Sequence, residues 1–147
     1  MKVLELMRVH VNKIGPDATL SDAIDMMDLY QAIVLPVVDS EGYPLGVVTE
    51  SDIEDALLIP FETAATALPS PSRDADVAQV VEQARQIRIA SIMSSPAVCV
   101  DEQTDVLEAA SLMLAHGIKR LPVTSAGRVI GIIGRIDICQ GVFELTA

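Results

Sequence analysis

The chain has 147 residues, half of them apolar, and its 21 acidic against 10 basic side chains leave a net charge of -11. The apolar share is ample for a buried core and excludes wholesale disorder, and the acidic balance argues against nucleic acid as a partner. The longest uncharged run, the twelve residues Ile89–Val100, is well short of the roughly 20 needed to cross a bilayer, and Met1–Arg8 interleaves charged with apolar residues, unlike a signal peptide.

Apolar residues at helical spacing (Leu20, Ala23, Ile24, Met27) predict a helix over Asp17–Leu29, with Ser21, Asp22, Asp25 and Asp28 on its polar face. A β-branched run, Ile33–Val38, a turn at Ser40-Glu41-Gly42 and a second run, Leu45–Thr49, predict a hairpin. Asp52 then opens another helix from the position of an N-cap. Thr63–Asp76, with Pro69 and Pro71, reads as a surface linker, and Asp76–Ile89 as an amphipathic helix. After it the pattern returns: a helix over Gln103–Ala115 (Val106, Ala109, Ala110, Met113), a strand at Leu121–Thr124, a turn at Ala126-Gly127, a strand at Val129–Ile133, and Asp137 at a helix start.

The return is a duplication. A shift of 86 positions lays Leu6-Met7 on Ile92-Met93, Ala23 on Ala109, Met27 on Met113 and Leu35-Pro36-Val37 on Leu121-Pro122-Val123; one deletion later Gly42, Gly46 and Asp52-Ile53 fall on Gly127, Gly131 and Asp137-Ile138. The spacing fits a doubled subdomain of order strand, helix, strand, strand, helix rather than a solenoid. One unit of about 55 residues buries little surface alone, so two packed face to face are expected to share a core.

Two copies of apolar-Met, helix, Leu-Pro-Val, Gly, apolar-Gly-apolar-apolar-x-x-x-Asp resemble a tandem pair of cystathionine-β-synthase (CBS) domains. The resemblance implies an α+β fold of two β-α-β-β-α subdomains related by a pseudo-two-fold axis, with residues 1–62 the first domain, 63–88 a linker and connecting helix, and 89–147 the second. It implies a regulatory module rather than an enzyme, one that binds an adenine nucleotide or adenosyl ligand (AMP, ADP, ATP or S-adenosylmethionine) between the domains; were the ligand a triphosphate, Mg would bridge it to the abundant carboxylates. It also implies a homodimer, and the effector that such a module signals to is expected to be a separate protein. The alternative is a ligand-free dimerisation or scaffold module.

A carboxylate can accept from both hydroxyls of a ribose diol, and Asp52 and Asp137 stand where the family places that group; the same residues read equally as helix-start carboxylates. Thr49 holds the family's hydroxyl position in copy one, whereas copy two has Gly134 there, which admits close backbone approach. Charge favours copy two. Arg135 aligns with Glu50, and Lys119-Arg120 with Ile33-Val34. A phosphate contact to a guanidinium is worth about 1.5–3 kcal/mol, and a neutral threonine bond about 0.5–1.5. Lys119, Arg120 and Arg135 are therefore the expected phosphate group, a solvated face being the other reading. The resemblance puts the base on Val9–Val11 with Leu35 and Pro36 in one copy, and on Pro96–Val98, Ala97 included, with Leu121 and Pro122 in the other.

No phosphate-loop or dinucleotide fingerprint is present, and His10 and His116 lie in no triad or metal spacing. Cys99 and Cys139 give no disulfide framework. The setting expected from this is cytoplasmic, without a membrane partner.

Overall fold

The computed structural model describes residues 1–67 and 72–145. A short helix α1 (Val3–Leu6) precedes α2 (Leu20–Tyr30), strands β1 (Val34–Val38) and β2 (Pro44–Thr49), and α3 (Glu50–Ile53). A π-helical turn, Glu54–Leu58, leads from α3 into α4 (Ile59–Thr66). Pro60 is the second residue after that turn, and a widened turn accommodates the ring and the missing N–H of a proline inside a helix. Then come α5 (Arg73–Arg85), β3 (Val100–Asp101), α6 (Val106–His116), β4 (Arg120–Ser125), β5 (Arg128–Gly134) and α7 (Arg135–Glu144).

The expected α+β repeat is present with differences. The hairpins β1–β2 and β4–β5 are antiparallel, with Leu35 opposite Val48 and Leu121 opposite Ile133. In copy two, β3 adds to β4 in parallel; in copy one the matching strand shrinks to a single bridge between Ile14 and Val37. Gly15-Pro16 ends it there, since proline has no N–H for the ladder. The stretch read as linker is partly helical: α4 runs through Thr66, whose hydroxyl and that of Thr63 donate back to the Glu62 and Ile59 carbonyls (2.7 and 2.9 Å). The connecting helix spans Arg73–Arg85, not 76–89, while the linker prolines Pro69 and Pro71 lie outside the described residues.

Two cores form rather than one shared core. One gathers Ile14, Ala23, Leu35, Val37 and Val48 of copy one around Ile89, with Ile92 and Met93 against it. The other gathers Val106, Ala109, Met113, Leu121, Val123, Ile133 and Ile138 of copy two around Val3, with Leu6 and Met7 against it. Each copy's opening segment thus packs into the other copy. Backbone bridges seal the exchange: Arg8 with Ile132, and Ser94 with Val47 at the matching place. The duplicated glycines make it possible, because a Cβ at Gly131 would sit 2.7 Å from the Arg8 carbonyl oxygen, and one at Gly46 would sit 2.5 Å from that of Ser94.

Candidate functional site

Because the opening segments cross, each cleft between the copies is built from both. The larger, about 590 Å³, is lined by Arg8, His10, Val11 and Asn12 on one side, by Tyr30–Val34 on another, and by Lys119, Arg120, Ile132 and Gly134–Asp137. The second, about 410 Å³, is lined by Thr49–Ser51, Val47, Ser94, Pro96, Val98, Gly117, Ile118 and Pro122. Both are of a size that holds a small ligand. Ile33, Val34, Lys119 and Arg120 line the two clefts in common.

Among the described residues Asp137 is the sole carboxylate lining the larger cleft, and it is only 8% exposed. It is not an N-cap. Gly134 caps α7, and Asp137 stands three residues on, where its Oδ2 accepts from the Gly134 N–H at 2.8 Å. Glycine has no side chain to answer, so only half of a capping box forms. Asp52 is likewise the third residue after its cap: Thr49 donates from its N–H (2.8 Å) and hydroxyl (3.1 Å) to Asp52 Oδ2, and its hydroxyl oxygen accepts from the Asp52 N–H at 3.4 Å. That pair engages the Thr49 hydroxyl and one of the two Asp52 carboxylate oxygens, the groups expected to meet a ligand in copy one.

Three predicted cations, Lys119, Arg120 and Arg135, face the larger cleft together with Asp137 and Gly134. Among the described residues, the Lys119 and Arg120 side chains form no hydrogen bond or ion pair. Arg135 is committed elsewhere, for its Nε donates to the Ile118 carbonyl (2.9 Å) and its Nη2 to that of Met113 (3.4 Å), closing the C-terminal end of α6. Gly134 draws the group together, since a Cβ there would lie 3.4 Å from Asp137 Oδ2 and 3.5 Å from Arg120 Cγ.

The base-side expectations need correction. Val9–Val11 are expected beside Leu35 and Pro36, yet His10 and Val11 line the cleft of Asp137 with Arg8 and Asn12, while Val9 and Leu35 line neither; Pro96 and Val98 line the cleft of Thr49, and Pro122 goes with them. Ala97, Pro36 and Asp52 line neither cleft. The physical reason is the segment exchange, which the repeat pattern does not reveal.

The sequence reading also missed Arg8, whose Nε donates to Asp137 Oδ1 at 2.9 Å. Its signal was its place, one residue after the repeated apolar-Met pair and so beside the base segment. Asn12, Tyr30 and Gln31 were missed too, although Tyr30 aligns with His116 at a rim position.

The CBS-domain family model matches residues 3–59 and 89–144, more than half of the chain. The chain is a tandem CBS pair. A CBS domain-containing protein of Dictyostelium discoideum is 33% identical over 141 residues, covering 94% of this CBS pair and 90% of the relative. Among solved structures, the CBS domain of a CBS domain-containing membrane protein from Sphaerobacter thermophilus matches with a TM-score of 0.75 at 27% identity, covering 95% of this pair and 86% of that chain. CBSX2 of Arabidopsis thaliana, solved in complex with AMP, matches with a TM-score of 0.74 at 21% identity, covering 99% and 98%. No helix among the described residues of the pair is long and apolar enough to cross a membrane.

Proposed function

We propose that this CBS pair is a regulatory module whose larger cleft binds an adenine nucleotide or adenosyl ligand and signals its presence to a separate effector protein. One observation carries the reading: a buried carboxylate, Asp137, shares a 590 Å³ cleft with two cations, Lys119 and Arg120, that lack a protein partner among the described residues. A ribose diol matches the carboxylate, a phosphate matches the cations, and the apolar wall of Val11, Ala32, Ile33 and Val34 offers a face for the base. The CBSX2–AMP complex supports the ligand class. Residues 1–62 and 89–147 are taken as the two domains, and a homodimer as the working assembly. Signalling requires that ligand binds one arrangement of the two copies more tightly than another.

A thermal-shift panel of AMP, ADP, ATP, S-adenosylmethionine and NADH, with and without magnesium, tests the proposal. A ligand at a hundred times its dissociation constant adds about 2.7 kcal/mol of stability. Asp137→Ala abolishes the response. Loss with Thr49→Val, a substitution in the lining of the smaller cleft, instead moves the site there, and a flat panel leaves the scaffold reading.

A further inference from the structure

The Arg8–Asp137 pair bears directly on which ligands the larger cleft accepts. Both oxygens of Asp137 are already engaged, Oδ2 by the Gly134 N–H at 2.8 Å and Oδ1 by Arg8 Nε at 2.9 Å. A ribose diol that takes this carboxylate must therefore compete with Arg8. The backbone of Arg8 cannot yield, because its N–H donates to the Ile132 carbonyl (2.8 Å), its own carbonyl accepts from the Ile132 N–H (2.9 Å), and the space over Gly131 holds that carbonyl. The side chain can, being 66% exposed against 9% for Asp137.

We infer that Arg8 is a specificity-determining residue that exchanges Asp137 for the phosphate of an incoming nucleotide, so that the cleft selects phosphorylated over neutral nucleosides. The inference rests on the nucleotide reading above. A neutral nucleoside that engages Asp137 displaces a guanidinium and offers it no anion. A nucleotide supplies one in a cleft where Lys119 and Arg120 already stand without partners among the described residues. The exchange replaces one charge-assisted contact by another, so its cost is recovered only when phosphate is present. The matching position in copy two is Ser94, which has no charge to exchange, so the smaller cleft lacks this filter.

Calorimetric titration of the full chain with AMP and with adenosine, on the wild type, Arg8→Gln and Arg8→Lys, tests the exchange. In the wild type AMP binds at least about tenfold tighter than adenosine, roughly the worth of one charged hydrogen bond. Arg8→Gln brings the two affinities together by about that factor, with adenosine gaining and AMP losing, and Arg8→Lys restores the preference for AMP. If both affinities fall in proportion in Arg8→Gln, Arg8 only braces the fold and the inference is overturned. A second readout needs no variant. The Arg8 Nε–Hε resonance of the wild type moves when AMP binds, and a resonance that stays put with AMP bound overturns the exchange. If the wild type binds neither AMP nor adenosine, the nucleotide reading itself has failed, an outcome distinct from an unchanged AMP-to-adenosine ratio.

Discussion

Gly131 and Gly46 occupy matching positions in the two copies, and at each the other copy's opening segment passes where a side chain would begin. At Gly131 the obstructing atoms are the Arg8 carbonyl oxygen, 2.7 Å from a built Cβ, and Met7 Sδ at 3.2 Å. The sulfur can move, but the carbonyl is held in the bridge to Ile132. Gly131→Ala therefore pushes the segment off β5, at a cost of about 1–3 kcal/mol, the usual penalty for overpacking. Gly15→Ala is the matched control: nothing lies within 4 Å of its built Cβ, so stability stays within about 0.5 kcal/mol of the wild type. Denaturant melts of the two variants decide the point, and equal midpoints would show that the segment does not press on Gly131.

Helix starts show the limits of residue reading at the next scale. The spacing of Leu20, Ala23 and Met27, and of Val106, Ala109 and Met113, makes α2 and α6 legible, and the Leu-Pro-Val runs do the same for β1 and β4. Less legible was the register of the caps: an aspartate at a helix start serves at the cap or three residues later, and Thr49 and Gly134 take the cap. Thr63–Thr66 reads as loop because propensity is a weak prior, while packing of α4 on α5 holds it helical, the two threonine hydroxyls being satisfied by the preceding turn. The capping box of α2 gives the clearest test. Thr19 donates its N–H to Asp22 Oδ2 (2.9 Å), and its hydroxyl oxygen accepts from the Asp22 N–H (3.1 Å). The bond from the Thr19 backbone, then that from its hydroxyl, hold the Asp22 carboxyl below its ordinary range; Arg88 adds a little and burial opposes. A carboxyl lowered by folding lends stability that is complete above the ordinary carboxylate range and disappears as pH falls through the folded value. Thr19→Ala costs about 1 kcal/mol at neutral pH. The Asp22 midpoint then rises only part of the way, because the stronger backbone bond survives. A carboxyl NMR titration measures that rise, and an unmoved midpoint would show that the hydroxyl plays no part.

At the scale of the whole molecule, the duplication was plain in the sequence and the crossing was not. Apolar residues at Val3, Leu6 and Met7, or at Ile89, Ile92 and Met93, satisfy the same pattern whether they pack on their own copy or on the other. Only the backbone path decides, and it assigns Arg8 to the cleft of Asp137 and Pro96 to that of Thr49. The candidate cations could be read from charge alignment of the copies and the carboxylate from the family resemblance, whereas their partners across the cleft could not. The crossing also divides stability in an unusual way. Ile89 is fully buried in the core of copy one, although it lies in the second matched span, and Val3 is fully buried in the core of copy two. Removing buried aliphatic atoms costs about 2–5 kcal/mol for Ile→Ala, and somewhat less for the smaller valine. Ile89→Ala should therefore lower amide-exchange protection chiefly in β1 and β2, and Val3→Ala chiefly in β4 and β5, each in the copy that the mutated segment does not belong to by sequence. Exchange resolves such regional losses because local opening draws on the stability of the cooperative unit containing each amide. Protection lost first within the mutated residue's own sequence copy would mean that the opening segments pack in place, and the two clefts would then have to be rebuilt from uncrossed halves.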